Sequence, residues 1–132
     1  MLKLFTATFA GAVLSVLFAT PGAAVAPPPD RSELKLTVSR SGGGTTAGRD
    51  RSAVLKCHPP RGSHPQKVKA CQELNERGGR LAQDPRDVIC TMEYAPVTAA
   101  AVGTWRGKPV RFKETYVNNC SMLAHTGVVF QF

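Results

Sequence analysis

Few residues in this 132-residue chain have the chemical reach to act on another molecule: four cysteines at positions 57, 71, 90 and 120, three histidines at 58, 64 and 125, and Met92. Each histidine could serve as a general base, but no G-x-S-x-G elbow and no Cys-His signature surrounds any of them. Their settings assign them to structure instead. His64 falls in the expected first turn of a helix, His58 in a Pro-rich turn beside a cysteine, and His125 in a short helical piece as a buried or half-buried hydrogen-bonder. Zinc is not indicated, because Cys57-His58 and Cys71 show neither a paired C-x-x-C nor an H-E-x-x-H spacing. Asp84 and Asp87 flank Pro85-Arg86 in a turn and need no acid-base role. The reading is therefore of a chain that is not an enzyme and carries no metal or cofactor.

The cysteines take their meaning from the other end of the chain. Met1 and Lys3 precede an apolar run over residues 4–19, followed by small residues up to Ala26. That is the pattern of a secretory signal peptide, residues 1–26, cut after Ala24 or Ala26, with Ala24 favoured because Pro27 is a poor first residue after the cut. Export to an oxidising space favours disulfides over zinc or redox chemistry. Three pairings are open. The simplest is sequential, Cys57 with Cys71 and Cys90 with Cys120, each stabilising the fold by roughly 3 to 4 kcal/mol in the loop-entropy model. The apolar run is shorter than the ~20 residues of a comfortable membrane span and no second one follows, so the mature chain is expected off the membrane, secreted and extracellular.

Lys and Arg number 17 against 9 Asp and Glu, a formal net charge of +8 at pH 7. The basic residues are scattered from Arg31 to Lys113 without a dense run, and few aromatics are interleaved among them. A stacking platform for single strands is unsupported, so no nucleic-acid partner is expected. A solvated basic surface remains. It leaves one alternative function open, a cationic secreted module for acidic surfaces or polymers.

The length suffices for one domain, which excludes a two-domain enzyme. Residues 27–33 read as a flexible Pro-rich tail, and the domain proper spans 34–132. Alternation over residues 34–38 and the apolar run at 53–57 predict two strands separated by a glycine-rich loop at 41–48. Ser63 three residues before Gln66 reads as a capping box, so a helix is expected from there to Gly78-Gly79, with Val68, Cys71, Leu74 and Asn75 mostly facing inward. Val88-Ile89-Cys90 reads as a short strand. Residues 102–106 and 110–117 form a hairpin around Gly107-Lys108, residues 121–125 a second short helix, and residues 127–132 a last strand. The expected architecture is α+β: an antiparallel sheet of about five strands with one main and one short helix packed on one face.

Thr91-Met92-Glu93-Tyr94-Ala95-Pro96 has no strand alternation and reads as a loop. Met92 stands two residues after Cys90 and four before Pro96. As a core residue it would be a gap filler. As an exposed one it would be apolar bait on a segment that the cross-link and the proline stiffen, losing little entropy on binding.

These segments together resemble the subtilisin inhibitor family secreted by Streptomyces and related bacteria. The resemblance runs from about Leu34 to Phe132. It rests on Leu36-Thr37-Val38, Thr45-Thr46-Ala47, Gly62-Ser63-His64-Pro65 within the Cys57 to Cys71 segment, and above all Cys90-Thr91-Met92-Glu93-Tyr94-Ala95-Pro96-Val97. Gly103-Thr104-Trp105-Arg106-Gly107-Lys108, Asn119-Cys120-Ser121-Met122-Leu123-Ala124-His125 and Val129-Phe130-Gln131-Phe132 continue it. The resemblance implies the sequential disulfide pairing and a serine protease inhibitor presenting a substrate-like loop. It implies a reactive bond between Met92 (P1) and Glu93 (P1′), with Thr91, Cys90 and Ile89 at P2, P3 and P4 and Tyr94 on the leaving side. The wide apolar S1 pocket of subtilisin-like enzymes would take Met92, and an apolar S4 pocket would take Ile89. Chymotrypsin-like enzymes form a further target class, whereas trypsin's S1 carboxylate would be left without a cation. The resemblance also implies a homodimer formed through the sheet, on whose outer face Lys35 projects. Thr-Met-Glu-Tyr is similar as well to the reactive loop of the unrelated potato inhibitor I family, which implies that Glu93 is held by Thr91 or a nearby Arg.

Overall fold

Alternation along the first strand dictates the architecture. The computed structural model describes residues 22–23, 31–40 and 50–132; most of the expected signal peptide, most of the tail and the loop at 41–48 lie outside the described residues. Strand β1 (Ser32–Arg40) buries Leu34, Leu36 and Val38 and turns Glu33 and Lys35 outward. It begins at Ser32, inside the stretch read as tail, because the Ser32 hydroxyl accepts a bond from the Arg106 N–H (2.9 Å) and the residue pairs with Cys57. β2 (Arg51–Cys57), β3 (Val97–Trp105) and β4 (Lys108–Tyr116) complete an antiparallel sheet in the order β2-β1-β3-β4. Three alanines at 99–101 in β3 include the buried Ala99 and Ala101, which let the layer above approach closely. The β3–β4 turn sits at Arg106-Gly107, one residue earlier than expected, and both have positive φ (47° and 77°), as two-residue hairpin turns matching strand twist require.

The other layer is helical. α1 (Lys67–Glu76), α2 (Asn119–Thr126) and a short 3-10 helix (Gly127–Phe130) cover one face of the sheet. The core joins Leu34, Leu36 and Leu55 of the sheet to Leu74, Met122, Val129 and Phe130. After α1 the chain turns through Gly79, whose φ is +86° and whose missing side chain leaves room for the Trp105 ring. Disulfides join Cys57 to Cys71, fastening α1 to β2, and Cys90 to Cys120, fastening the 88–96 segment to α2.

Four expectations are corrected. The sheet has four strands, not about five, because Val88-Ile89-Cys90 has no strand beside it, with Val88 and Ile89 exposed. Residues 127–130 coil instead of extending, since Gly127, Val128, Val129 and Phe130 are all buried and a strand would face one side only. The capping box does not form: the Ser63 hydroxyl accepts from the Val54 N–H (2.9 Å), and α1 starts at Lys67 with Gln66 at its N-cap position giving no side-chain cap. α1 is also rotated from its expected face. Val68 and Asn75 are exposed, while Glu73 and Arg77 join Ala70, Cys71 and Leu74 inside. A carboxylate and a guanidinium can displace an apolar residue there because they satisfy one another.

Candidate functional site

The three most exposed large apolar residues gather where the chain has no regular structure. Ile89, Met92 and Tyr94 are 103%, 98% and 79% exposed, whereas the other described methionine, Met122, is fully buried. Met122 fills the core; Met92 does not. A large unbranched apolar side chain held in water by its own backbone gains by entering a pocket elsewhere.

The backbone of this segment is anchored on both sides of Met92. Before it, Cys90 is bonded to Cys120, with Cα atoms 5.7 Å apart. After it, the Ala95 N–H donates to the Val117 carbonyl (2.9 Å) and the chain enters β3 at the buried Val97. Between them, the side-chain amide of Asn118 donates to the carbonyls of Thr91 (3.0 Å) and Glu93 (2.9 Å). Asn118 is itself fixed. It is 6% exposed, caps α2, and its Oδ1 accepts the Ser121 N–H at 2.8 Å. One amide therefore spans the Met92–Glu93 bond from behind. A groove of ≈ 490 Å³ lined by Val88, Cys90, Val117, Ser121 and His125 lies beside the same segment.

Sequence reasoning did not single out Asn118. The signal for it was an Asn immediately before a short helical piece, the preferred N-cap type. It did propose that Glu93 is held by Thr91 or an Arg; among the described residues the Glu93 carboxylate has no hydrogen-bond or ion-pair partner, and the bracing comes from Asn118.

The stem leading into the loop is stapled to the helical layer. Gln83 exchanges two bonds with His125, its N–H donating to the His125 carbonyl and its carbonyl accepting from Nδ1, each at 3.0 Å. The Arg86 N–H donates to the Ala124 carbonyl (3.1 Å) and its guanidinium meets Glu73 at 2.9 Å. Glu73 also receives Arg77 (3.1 Å) and the Val128 N–H (3.0 Å). Burial alone would raise its carboxyl; the Arg86 and Val128 bonds and the two guanidinium charges outweigh that and hold it below its ordinary value.

The three histidines are not brought together. His64 lies before α1, not in its first turn, 1% exposed, with Nε2–H donating to Val129 and Nδ1 accepting from Gln66. Burial lowers its pKa despite the bonds to backbone carbonyls. His58 bonds Asn75 at 2.9 Å and meets Trp105 edge-on. No group of three His, Cys, Asp or Glu residues suited to a metal ion occurs among the described residues. None of the described helices is long and apolar enough to cross a membrane.

Against this geometry the comparisons are specific. The family profile described as subtilisin inhibitor-like matches residues 30–118. The subtilisin inhibitor of Streptomyces violaceus is 40% identical over 128 residues, covering 89% of this chain and 88% of its own. That of Streptomyces albogriseolus is 40% identical over 129 residues, covering 96% and 87%. Among solved structures, the crystal structure of Streptomyces caespitosus sermetstatin in complex with Bacillus licheniformis subtilisin matches with a TM-score of 0.60 and 32% identity, over 77% of this chain and 99% of the matched one. An exposed, doubly anchored loop on a two-layer body stapled by two disulfides thus has relatives along almost its whole length, and the chain belongs to the subtilisin inhibitor-like family.

Proposed function

We propose that the protein is a secreted inhibitor of subtilisin-like serine proteases whose reactive bond joins Met92 to Glu93. The observation that carries this reading is that Met92, almost wholly exposed, sits at the centre of a loop whose backbone is tied down on both sides. Met92 enters S1 as P1, Ile89 reaches S4, Thr91 and Cys90 pair with the enzyme as an extended strand, and Glu93 and Tyr94 lie on the leaving side. Homologues named as subtilisin inhibitors and a neighbour bound to subtilisin support the target class.

In the proposed mechanism the enzyme's serine Oγ attacks the Met92 carbonyl, the Met92–Glu93 amide breaks, and an acyl-enzyme forms as the new amine of Glu93 takes up a proton. A substrate would lose that amine. Here the Asn118 bond to the Glu93 carbonyl and the Ala95–Val117 bond hold the amine half, while Cys90–Cys120 holds the acyl half on the same body. The amine remains at a high effective concentration beside the ester, so religation outruns hydrolysis. Interfaces of protease–inhibitor type bury about 1,600 Å², and rigidity of the loop lowers the entropy lost in forming one.

The signal peptide serves export on this reading and is removed by a cut after Ala24 or Ala26. The open face of the sheet is the surface for a homodimer: Val54 and Val102 flank Lys35 in one cross-strand row. The test is an inhibition panel of subtilisin, chymotrypsin and trypsin with the purified mature protein, with mass spectrometry to locate the slowly nicked bond. Near one-to-one inhibition of subtilisin with a nick after Met92 is expected; an inert protein, or a nick elsewhere, overturns the assignment.

A further inference from the structure

One carboxylate in the helical layer, far along the chain from the loop, gathers three partners from three segments. Glu73, in the body of α1, receives Arg77 from the C-cap of its own helix, the Val128 N–H from the 3-10 helix and Arg86 from the loop stem. Its side chain is 11% exposed, and a Cβ on Gly127 would collide with it and with Arg86. The site is built: buried, fully occupied, and closed by a glycine.

We infer that Glu73, acting through Arg86, is a positioning residue that holds the Ile89 end of the reactive loop in register for the protease. This rests on the loop assignment above and adds a second anchor to it. The stem has no helix or strand of its own between residues 81 and 90, so its course depends on individual ties. With Arg86 held, residues 87–89 run to Cys90 without a bond to the body of their own, the Val88 N–H donating back to the Arg86 carbonyl (2.7 Å). Without the guanidinium, residue 86 is left with its backbone bond to Ala124 alone, and whenever that single bond opens the untied run doubles, back to Gln83. The Cys90–Cys120 bond fixes P3 but leaves the direction of residue 89 free. The Glu73–Arg86 contact restricts it. Two ties on either side of three residues define a path; one tie defines only a pivot.

The magnitude follows from chain statistics. Doubling an untied run raises the entropy lost on ordering it by an amount that weakens binding about threefold. The effect should fall on Ile89 rather than on Met92, which Asn118 and the disulfide still hold.

The experiment compares wild type with Arg86→Ala, in which Glu73 keeps Arg77 and the Val128 N–H, and with Arg86→Lys, which restores the charge. Inhibition constants against subtilisin, the nicking rate at Met92–Glu93, and hydrogen exchange of the amides at 87–89 are measured, each with and without Ile89→Ala. Arg86→Ala is expected to raise the inhibition constant about threefold, to speed nicking and exchange, and to reduce the cost of Ile89→Ala, a non-additive cycle that a general loss of stability would not give. Arg86→Lys should recover part of each. Unchanged constants, or an additive cycle, overturn the inference. A wild type inert toward subtilisin defeats the loop assignment and is seen before any variant is compared; unchanged exchange at 87–89 then overturns the anchor separately.

Discussion

The side-chain amide of Asn118 donates to the carbonyls of Thr91 and Glu93, 3.0 and 2.9 Å away, so a single nitrogen joins the two residues that flank Met92. Its oxygen is meanwhile committed to the Ser121 N–H. Replacing it with Asp keeps the cap and removes both donors. Asn118→Asp should therefore unfold near the wild-type temperature while its inhibition constant for subtilisin rises about tenfold to thirtyfold, from two hydrogen bonds of about 1 kcal/mol each. Thermal melts read the first expectation and titration inhibition the second; an equal loss of both would make Asn118 a cap only.

Substitution at residue 92 should redirect the molecule without loosening it, since Met92 is almost wholly exposed. Met92→Lys is expected to move inhibition toward trypsin, whose S1 carboxylate needs a cation. Met92→Gly should weaken subtilisin inhibition by about 1.5 to 3 kcal/mol, the burial energy of one such side chain. A lysine variant with unchanged targets would sink the P1 assignment.

The two disulfides should separate stability from inhibition. Replacing Cys90 and Cys120 by serine removes about 3 to 4 kcal/mol in the loop-entropy model and should turn the protein from inhibitor to substrate, nicked rapidly after Met92. Removing Cys57 and Cys71 should destabilise by a similar amount yet leave the folded fraction inhibitory. Proteolysis time courses at a temperature where both variants remain folded distinguish them.

Acid should weaken the fold in two stages. His64 has its pKa lowered from 6.5 by burial, so the unfolded chain binds the proton first; the stability this site contributes is present above 6.5 and lost as pH falls toward its folded value. Glu73 is lowered from 4.5, so its contribution is present above 4.5 and lost as pH falls further. Melting temperature followed from pH 8 down to about 3 should decline through both windows, and His64→Gln should flatten only the upper one.

Much of the framework could be seen in the residue pattern: the alternation of β1, the hairpin turn glycine, the four cysteines and the unpatterned segment around Met92. What escaped was decided by tertiary partners. Val128-Val129-Phe130 has the composition of a strand, but burial on every side selects a tight helix. Nothing in the local pattern marks Glu73 as buried, because its partners lie 13 and 55 positions away, at Arg86 and Val128. Asn118 was passed over although its residue type suits a helix cap, and its grip on Thr91 and Glu93 depends on the disulfide that brings the segments together. Val88-Ile89-Cys90 has strand chemistry without a neighbouring edge, and hydrophobicity alone does not supply one.

The bonds that hold residues 91–95 to the body all use the loop's main chain: the carbonyls of Thr91 and Glu93 and the N–H of Ala95. The body grips peptide groups and is indifferent to which side chains they carry. Variation at 92, 93 and 94 is thereby uncoupled from the chassis, so a lineage facing new enzymes could exchange the bait one codon at a time while the frame that presents it stays as it is.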